Sequence, residues 1–188
     1  DGVQGSLPRG VHKVSAATAR VVHMFVLGVD PGLSRCGYGL VRRDGRHLRA
    51  ESAGVIRTHT SKPLADRLAD LQAEIRSLIA EYRPDELAVE RVLFQVNART
   101  AMQTSHAAGV LMAEGAAAGC PVTLYSPNEV KSAVAGWGGA DKSQMERMVQ
   151  TLLSINTPLR PVDAADAVAV ALCHLAMLPS PRTAAVVR

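Results

Sequence analysis

Two short apolar runs in this chain each end on a carboxylate. Phe25 to Val29 leads directly into Asp30, and Leu87-Ala88-Val89 leads directly into Glu90. Neither run alternates with polar residues, the pattern of a strand buried inside a sheet rather than one with a wet face. A chain built on such strands needs helices to cover them.

The rest of the sequence supplies the other elements. Gly37–Arg42 reads as a second strand, an Asp44-Gly45 turn follows, and His47–Arg57 reads as a third, giving an antiparallel meander. Leu64, Leu68, Leu71, Ile75, Leu78 and Tyr82 recur at three- and four-residue spacing, an amphipathic helix stopped by Pro84. Arg99 to Ala118 is a second helix, rich in small residues such as Ala101, Ser105, Ala108, Gly109 and Gly115. Tight internal packing and a dimer seam both fit it. Val122–Tyr125 is a further strand, and Ser126-Pro127-Asn128-Glu129 opens a short helix. After the Gly-rich loop Gly136–Gly139, Lys142–Leu153 is helical, and Pro161 introduces a last helix from Asp163 to about Leu178.

This order predicts an α/β fold, a mixed five-stranded sheet flanked by helices. A chain of 188 residues with 47% apolar content can bury one such core, so a single domain over residues 24–178 is expected. Met24 directly precedes the first strand. Residues 1–23 are therefore expected to be a tail, disordered or foreign to the domain, and residues 179–188 a C-terminal tail.

Sites in such sheets form at the carboxyl ends of the strands, where Asp30 and Glu90 lie. If the first and fourth strands are parallel neighbours, the two carboxylates face each other. Asp163 and Asp166 are three residues apart and share one helix face. Val168, Leu172 and Leu175 behind them would bury that helix on the sheet and bring its start near the strand ends. Each acid also has a local explanation. Asp30-Pro31-Gly32 is a turn sequence, Glu90 could end a strand in water, and Asp163 could cap its helix with Asp166 in the first turn. The combination favours a shared site. Two carboxylates about 4 Å apart repel by roughly 4 kcal/mol at an effective dielectric near 20. Four together call for a hard cation, and Mg²⁺ or Mn²⁺ suits oxygen ligands. Two such ions would serve phosphodiester cleavage.

Basic residues fit the same chemistry. Lys131, beyond a strand, and Lys142, after the Gly-rich loop, are candidate phosphate contacts, with Arg91 and Arg99 as further ones. Phe94 is placed either to wedge against a base or to fill a core gap. Aromatics are only 3% of the chain, which excludes an extended stacking platform. The formal charge of +4 says little, because residues 1–23 carry half of it. Cys36, Cys120 and Cys173 are odd in number and lack a C-x-x-C pair, which argues for reduced thiols in a cytosol. No segment approaches the roughly 20 apolar residues of a membrane span.

The segments Gly28-Val29-Asp30-Pro31-Gly32, Val89-Glu90-Arg91-Val92, Asn97, Glu129-Val130-Lys131, Ala140-Asp141-Lys142-Ser143 and Asp163-Ala164-Ala165-Asp166-Ala167 resemble, in order and spacing, the RuvC family of bacterial Holliday-junction resolvases. The resemblance runs from about Met24 to Leu178. It implies an RNase H-like fold and a cytoplasmic homodimer that nicks two like-polarity strands of a four-way DNA junction with Mg²⁺ or Mn²⁺. It assigns Asp30, Glu90, Asp163 and Asp166 to the catalytic metal set, Lys131 and Lys142 to the functional lysines, and the small-residue helix to the dimer interface. It also implies a branch-migration complex, RuvA/RuvB, as partner. In well-known members an aromatic stands three residues after the catalytic Glu; here Leu93 holds that place and Phe94 follows. Three rivals share part of the pattern: an RNase H-like nuclease acting on RNA or hybrids, an actin-like phosphotransferase, and a junction-binding module without catalysis.

Overall fold

The structure, a computed structural model, describes residues 23–93 and 98–178. Its elements are β1 (His23–Asp30), β2 (Arg35–Asp44), β3 (His47–Arg57), α1 (Leu64–Tyr82), β4 (Glu86–Glu90), α2 (Ala98–Ala117), β5 (Val122–Tyr125), α3 (Pro127–Ala135), α4 (Lys142–Leu153) and α5 (Val162–Met177). They form the expected mixed five-stranded sheet, in the order β3-β2-β1-β4-β5. The meander is antiparallel, whereas β1 pairs parallel with β4, and β4 parallel with β5. Phe94, Asn97, the chain ends 1–22 and 179–188, and the side chain of Arg99 lie outside the described residues.

Alternation along β1 splits the interior into two cores. Phe25, Leu27 and Val29 pack with Leu71, Ile75 and Ile79 of α1 and with Ala107 and Leu111 of α2. Met24 and Val26 pack with Val168, Leu172 and Leu175 of α5, and with Val130 and Val149 of α3 and α4. β1 is thus covered on both faces, as its unbroken apolar run requires.

The first helix departs from its expected face at one end. Leu64 is 41% exposed, and the buried positions are Arg67, Leu71, Ile75 and Ile79. The Arg67 guanidinium donates to Thr58 Oγ1 at 2.9 Å and to Ser34 Oγ at 2.6 Å. Those hydroxyls satisfy a charge that would otherwise be costly to bury, and they tie α1 to the end of β3 and to the loop that follows Asp30.

Three glycines let α5 settle on the sheet. Gly28 of β1 pairs with Gly39 of β2, and Gly37 pairs with Asp30. A Cβ at Gly28 would lie 2.2 Å from the Ala167 carbonyl oxygen, and one at Gly37 would lie 2.0 Å from that of Asp163. At Gly39 it would meet the Val168 amide nitrogen at 2.8 Å. Helix backbone therefore rests directly on strand backbone, which a side chain on any of these three would prevent.

Candidate active site

The alternation that divides the cores also aims the acids. Asp30 is two residues beyond Gly28, and Glu90 two beyond Ala88, so both share the face on which α5 lies. Parallel pairing sets Val29 level with Val89, which brings the next residues, Asp30 and Glu90, side by side at the strand ends. The glycine seat then brings the start of α5, with Asp163 and Asp166, over the same end.

The four carboxylates feel one another. Burial is the main cause that pushes Asp30 up to about 7, with Glu90, Asp166 and Asp163 adding in that order. Glu90 is likewise raised to about 7, first by burial and then by Asp166, while Lys131 opposes the shift. Asp166 is raised by burial, with Lys142 opposing and Asp163 adding. Each expected lysine thus acts on one carboxylate of the set.

Asp163 behaves differently. Pro161 is the N-cap of α5, and no side chain caps that end, so the local explanation of Asp163 as a helix cap is not what the structure holds. Its carboxylate instead accepts from Arg35, at 3.1 Å between Nε and Oδ2 and through a second guanidinium nitrogen. This bond holds Asp163 below the usual carboxylate range. Among the described residues no three acidic, histidine or cysteine side chains close to the spacing of a formed cation site. The donor set is nonetheless all carboxylate oxygen, which fits a hard divalent ion. Asp163 would join such an ion when Arg35 lets it go.

Two clefts meet at Asp30, Glu90 and Pro127. One, of about 380 Å³, runs past Arg91, Val92 and Leu93 to Thr100 and Thr104 of α2. The other, of about 520 Å³, contains Lys131, Lys142 and Asp166. Two capping boxes fix where the lysines emerge. Ser126 and Glu129 cap α3 reciprocally, with Ser126 N donating to Glu129 Oε2 at 2.7 Å and Glu129 N to Ser126 Oγ at 3.3 Å. Asp141 accepts from Gln144 N at 2.8 Å, and its own amide donates to Gln144 Oε1 at 2.9 Å, so Lys142 is the first residue of α4.

Sequence reasoning missed Arg35 and the glycine seat. Glycines two apart in a strand (Gly37, Gly39), opposite a third (Gly28), were the available sign. Arg35 gave none, because its partner is 128 positions away.

The raised acids give a pH signature. A carboxylate favoured in its neutral form by the fold contributes stability that is present below its unfolded value, near 4, and lost as pH rises through about 7. Asp163, held low by Arg35, works the other way, its contribution being lost as pH falls. With three of the four acids raised and one lowered, the metal-free protein is expected to melt at a higher temperature near pH 5.5 than near pH 8. Mg²⁺ should restore the loss at pH 8 and have little effect at pH 5.5, where protons compete with it. Thermal melts in EDTA and in Mg²⁺ across that range check this, and melts without any pH dependence would show that the fold does not raise these acids.

The chain is similar to known proteins along most of its length. The family profile described as crossover junction endodeoxyribonuclease RuvC matches residues 26–174. The protein of that name from Salinispora arenicola is 51% identical over 153 residues, covering 81% of this chain and 87% of its own length. That from Streptomyces avermitilis is 48% identical over 158 residues, covering 84% and 90%. Among solved structures, Thermus thermophilus RuvC in complex with Holliday junction substrate superposes with a TM-score of 0.77 at 34% identity, over 81% of this chain and 93% of that one. With sequence and overall fold in agreement over most of the chain, it belongs to the RuvC family of crossover junction endodeoxyribonucleases, with their RNase H-like fold.

Proposed function

We propose that this chain resolves four-way DNA junctions by paired symmetric nicks, as a metal-dependent endodeoxyribonuclease in recombination and repair. One observation carries the reading: Asp30 and Glu90 end neighbouring parallel strands on the face where α5 presents Asp163 and Asp166. The Thermus relative, whose structure is described with Holliday junction substrate, supports the choice of substrate.

Asp30, Glu90, Asp163 and Asp166 are the residues that would hold Mg²⁺ or Mn²⁺, two ions per site. Ions so held supply a water of lowered pKa and positive charge for the departing oxygen. The chain's own part is positional. Asp30 and Glu90 stand on the rigid sheet, Lys131 and Lys142 offer point charges to the phosphate from the adjoining cleft, and Arg35 keeps Asp163 ionised until it is needed. Phe94 and Arg99 are further DNA contacts. A junction has two equivalent scissile phosphates, so an isologous homodimer with a seam on α2 matches its symmetry. Within a bacterial cytoplasm the RuvA/RuvB branch-migration complex is the partner that the family implies.

A labelled four-way junction and a matched linear duplex, each incubated with Mg²⁺ or EDTA, test this reading. Paired nicks in the junction alone, lost in EDTA, are the expected result. Tight junction binding without nicks would leave a binding module, and preferential cleavage of an RNA–DNA hybrid would move the substrate.

A further inference from the structure

Trp137 is the chain's sole tryptophan, and it is 55% exposed. Tryptophan is among the most buried residues on average, so an indole left this open needs a reason. The other described aromatics, Phe25, Tyr38, Tyr82 and Tyr125, are buried or half-buried. This open ring stands on the loop that joins the two lysine-bearing helices.

That loop is shaped to hold the ring. α3 ends at Gly136, whose φ of 85° is left-handed and turns the chain sharply. The following residues fold back beside α3, where a Cβ at Gly138 would lie 3.2 Å from Ser132 Oγ. The Ala140 amide closes the turn onto the Trp137 carbonyl at 3.4 Å. The indole itself lies against Gly139, since a Cβ there would be 2.2 to 2.8 Å from three of its ring carbons. Glycine at 139 is thus a seat for the ring, braced on one side and open to solvent elsewhere. Immediately after it, Ala140, Asp141 and Lys142 line the cleft that contains Asp30, Glu90 and Asp166. The capping box at Asp141 fixes this junction of loop and helix.

We infer that Trp137 stacks on a nucleobase at the branch point and so helps the protein discriminate a junction from a linear duplex. Bases within a duplex are stacked on both faces, whereas a four-way junction opened at its centre leaves the central base pairs with one face free for a planar apolar partner. An exposed ring three residues before Ala140 in the cleft lining, with Lys142 two residues further on, offers the two contacts that single-strand and distorted-strand binders use. The inference rests on the junction-cleaving function proposed above and adds a residue that selects the substrate.

The sole tryptophan makes its own reporter. In Asp30→Asn protein, which prevents turnover, junction DNA is expected to quench the emission saturably, while the matched duplex quenches it little. Trp137→Ala should weaken junction affinity about tenfold or more, the scale of one base–aromatic stack, with duplex affinity and melting temperature nearly unchanged. Trp137→Phe should recover most of the loss. Unchanged emission at a junction concentration that shifts all the protein on a gel would overturn the inference and leave the nuclease reading intact. An equal loss on junction and duplex, or a fall in melting temperature that Phe does not restore, would also overturn it, making the ring a loop brace. Absence of any junction binding by unsubstituted protein would overturn the functional reading, and this one with it.

Discussion

Asp30→Asn is expected to abolish nicking while raising the melting temperature of the metal-free protein by about 5 °C at pH 8. Both effects follow from one fact. Asp30 sits where burial and the Glu90, Asp166 and Asp163 carboxylates all disfavour its charge, so that it titrates near 7. Above that pH the folded protein carries an ionised group that the unfolded chain would hold at less cost, and amide for carboxylate removes the difference. Below about pH 4 the group is neutral in both states and the gain should vanish. In saturating Mg²⁺ the order should reverse, because the unsubstituted protein gains binding free energy that the variant cannot. Melts of both proteins at two pH values, with and without metal, separate these cases. A lower melting temperature for the variant in EDTA at pH 8 would mean that Asp30 holds the fold in some other way.

Gly37→Ala should have the largest effect on the scaffold. The added Cβ would fall 2.0 Å from the Asp163 carbonyl oxygen and 2.7 Å from its carbon, both backbone atoms that no rotamer change can move aside. Overpacking of well-fitted interiors costs about 1–3 kcal/mol and occasionally more, so a loss near the upper end is expected, with a fall of about 5–10 °C in melting temperature. The helix would have to lift at the end that carries Asp163 and Asp166. Nicking should therefore fall more steeply than stability does, since displacement of a reacting group by about 1 Å can cost on the order of a hundredfold. Circular dichroism melts paired with junction cleavage below the melting transition would show this. A variant with normal stability would mean that strand and helix are not in backbone contact here.

Much of this was legible beforehand, for identifiable reasons. β1 and β4 announce themselves through unbroken apolar runs, α1 through its periodicity, and the strand-end acids through their place at the limit of each run. β3 and α4 follow the bounds their turn and caps imply. Residues whose meaning depends on distant partners were not legible. Arg67 breaks the apolar face of α1 because hydroxyls in two separate loops satisfy it. Asp163 looks like a helix cap in sequence, but Arg35 from the far end of the chain holds it. Glu129 and Asp141, within motifs that resemble functional ones, cap helices and position the lysines after them.

The placement of α5 also bears on how this protein is made. The helix lies across β1 and β2, the first strands of the domain, yet it is among the last elements of the chain. Until it emerges from the ribosome, Met24, Val26 and Val41 have lost one wall of their core and the glycine seat is bare. Half of the acids are also still missing, because Asp163 and Asp166 arrive with the helix. Completion of the fold and assembly of the cutting site are therefore one event. A nascent chain halted anywhere before residue 162 has a sheet without this helix on one face and only half of its acids, with no means of breaking DNA.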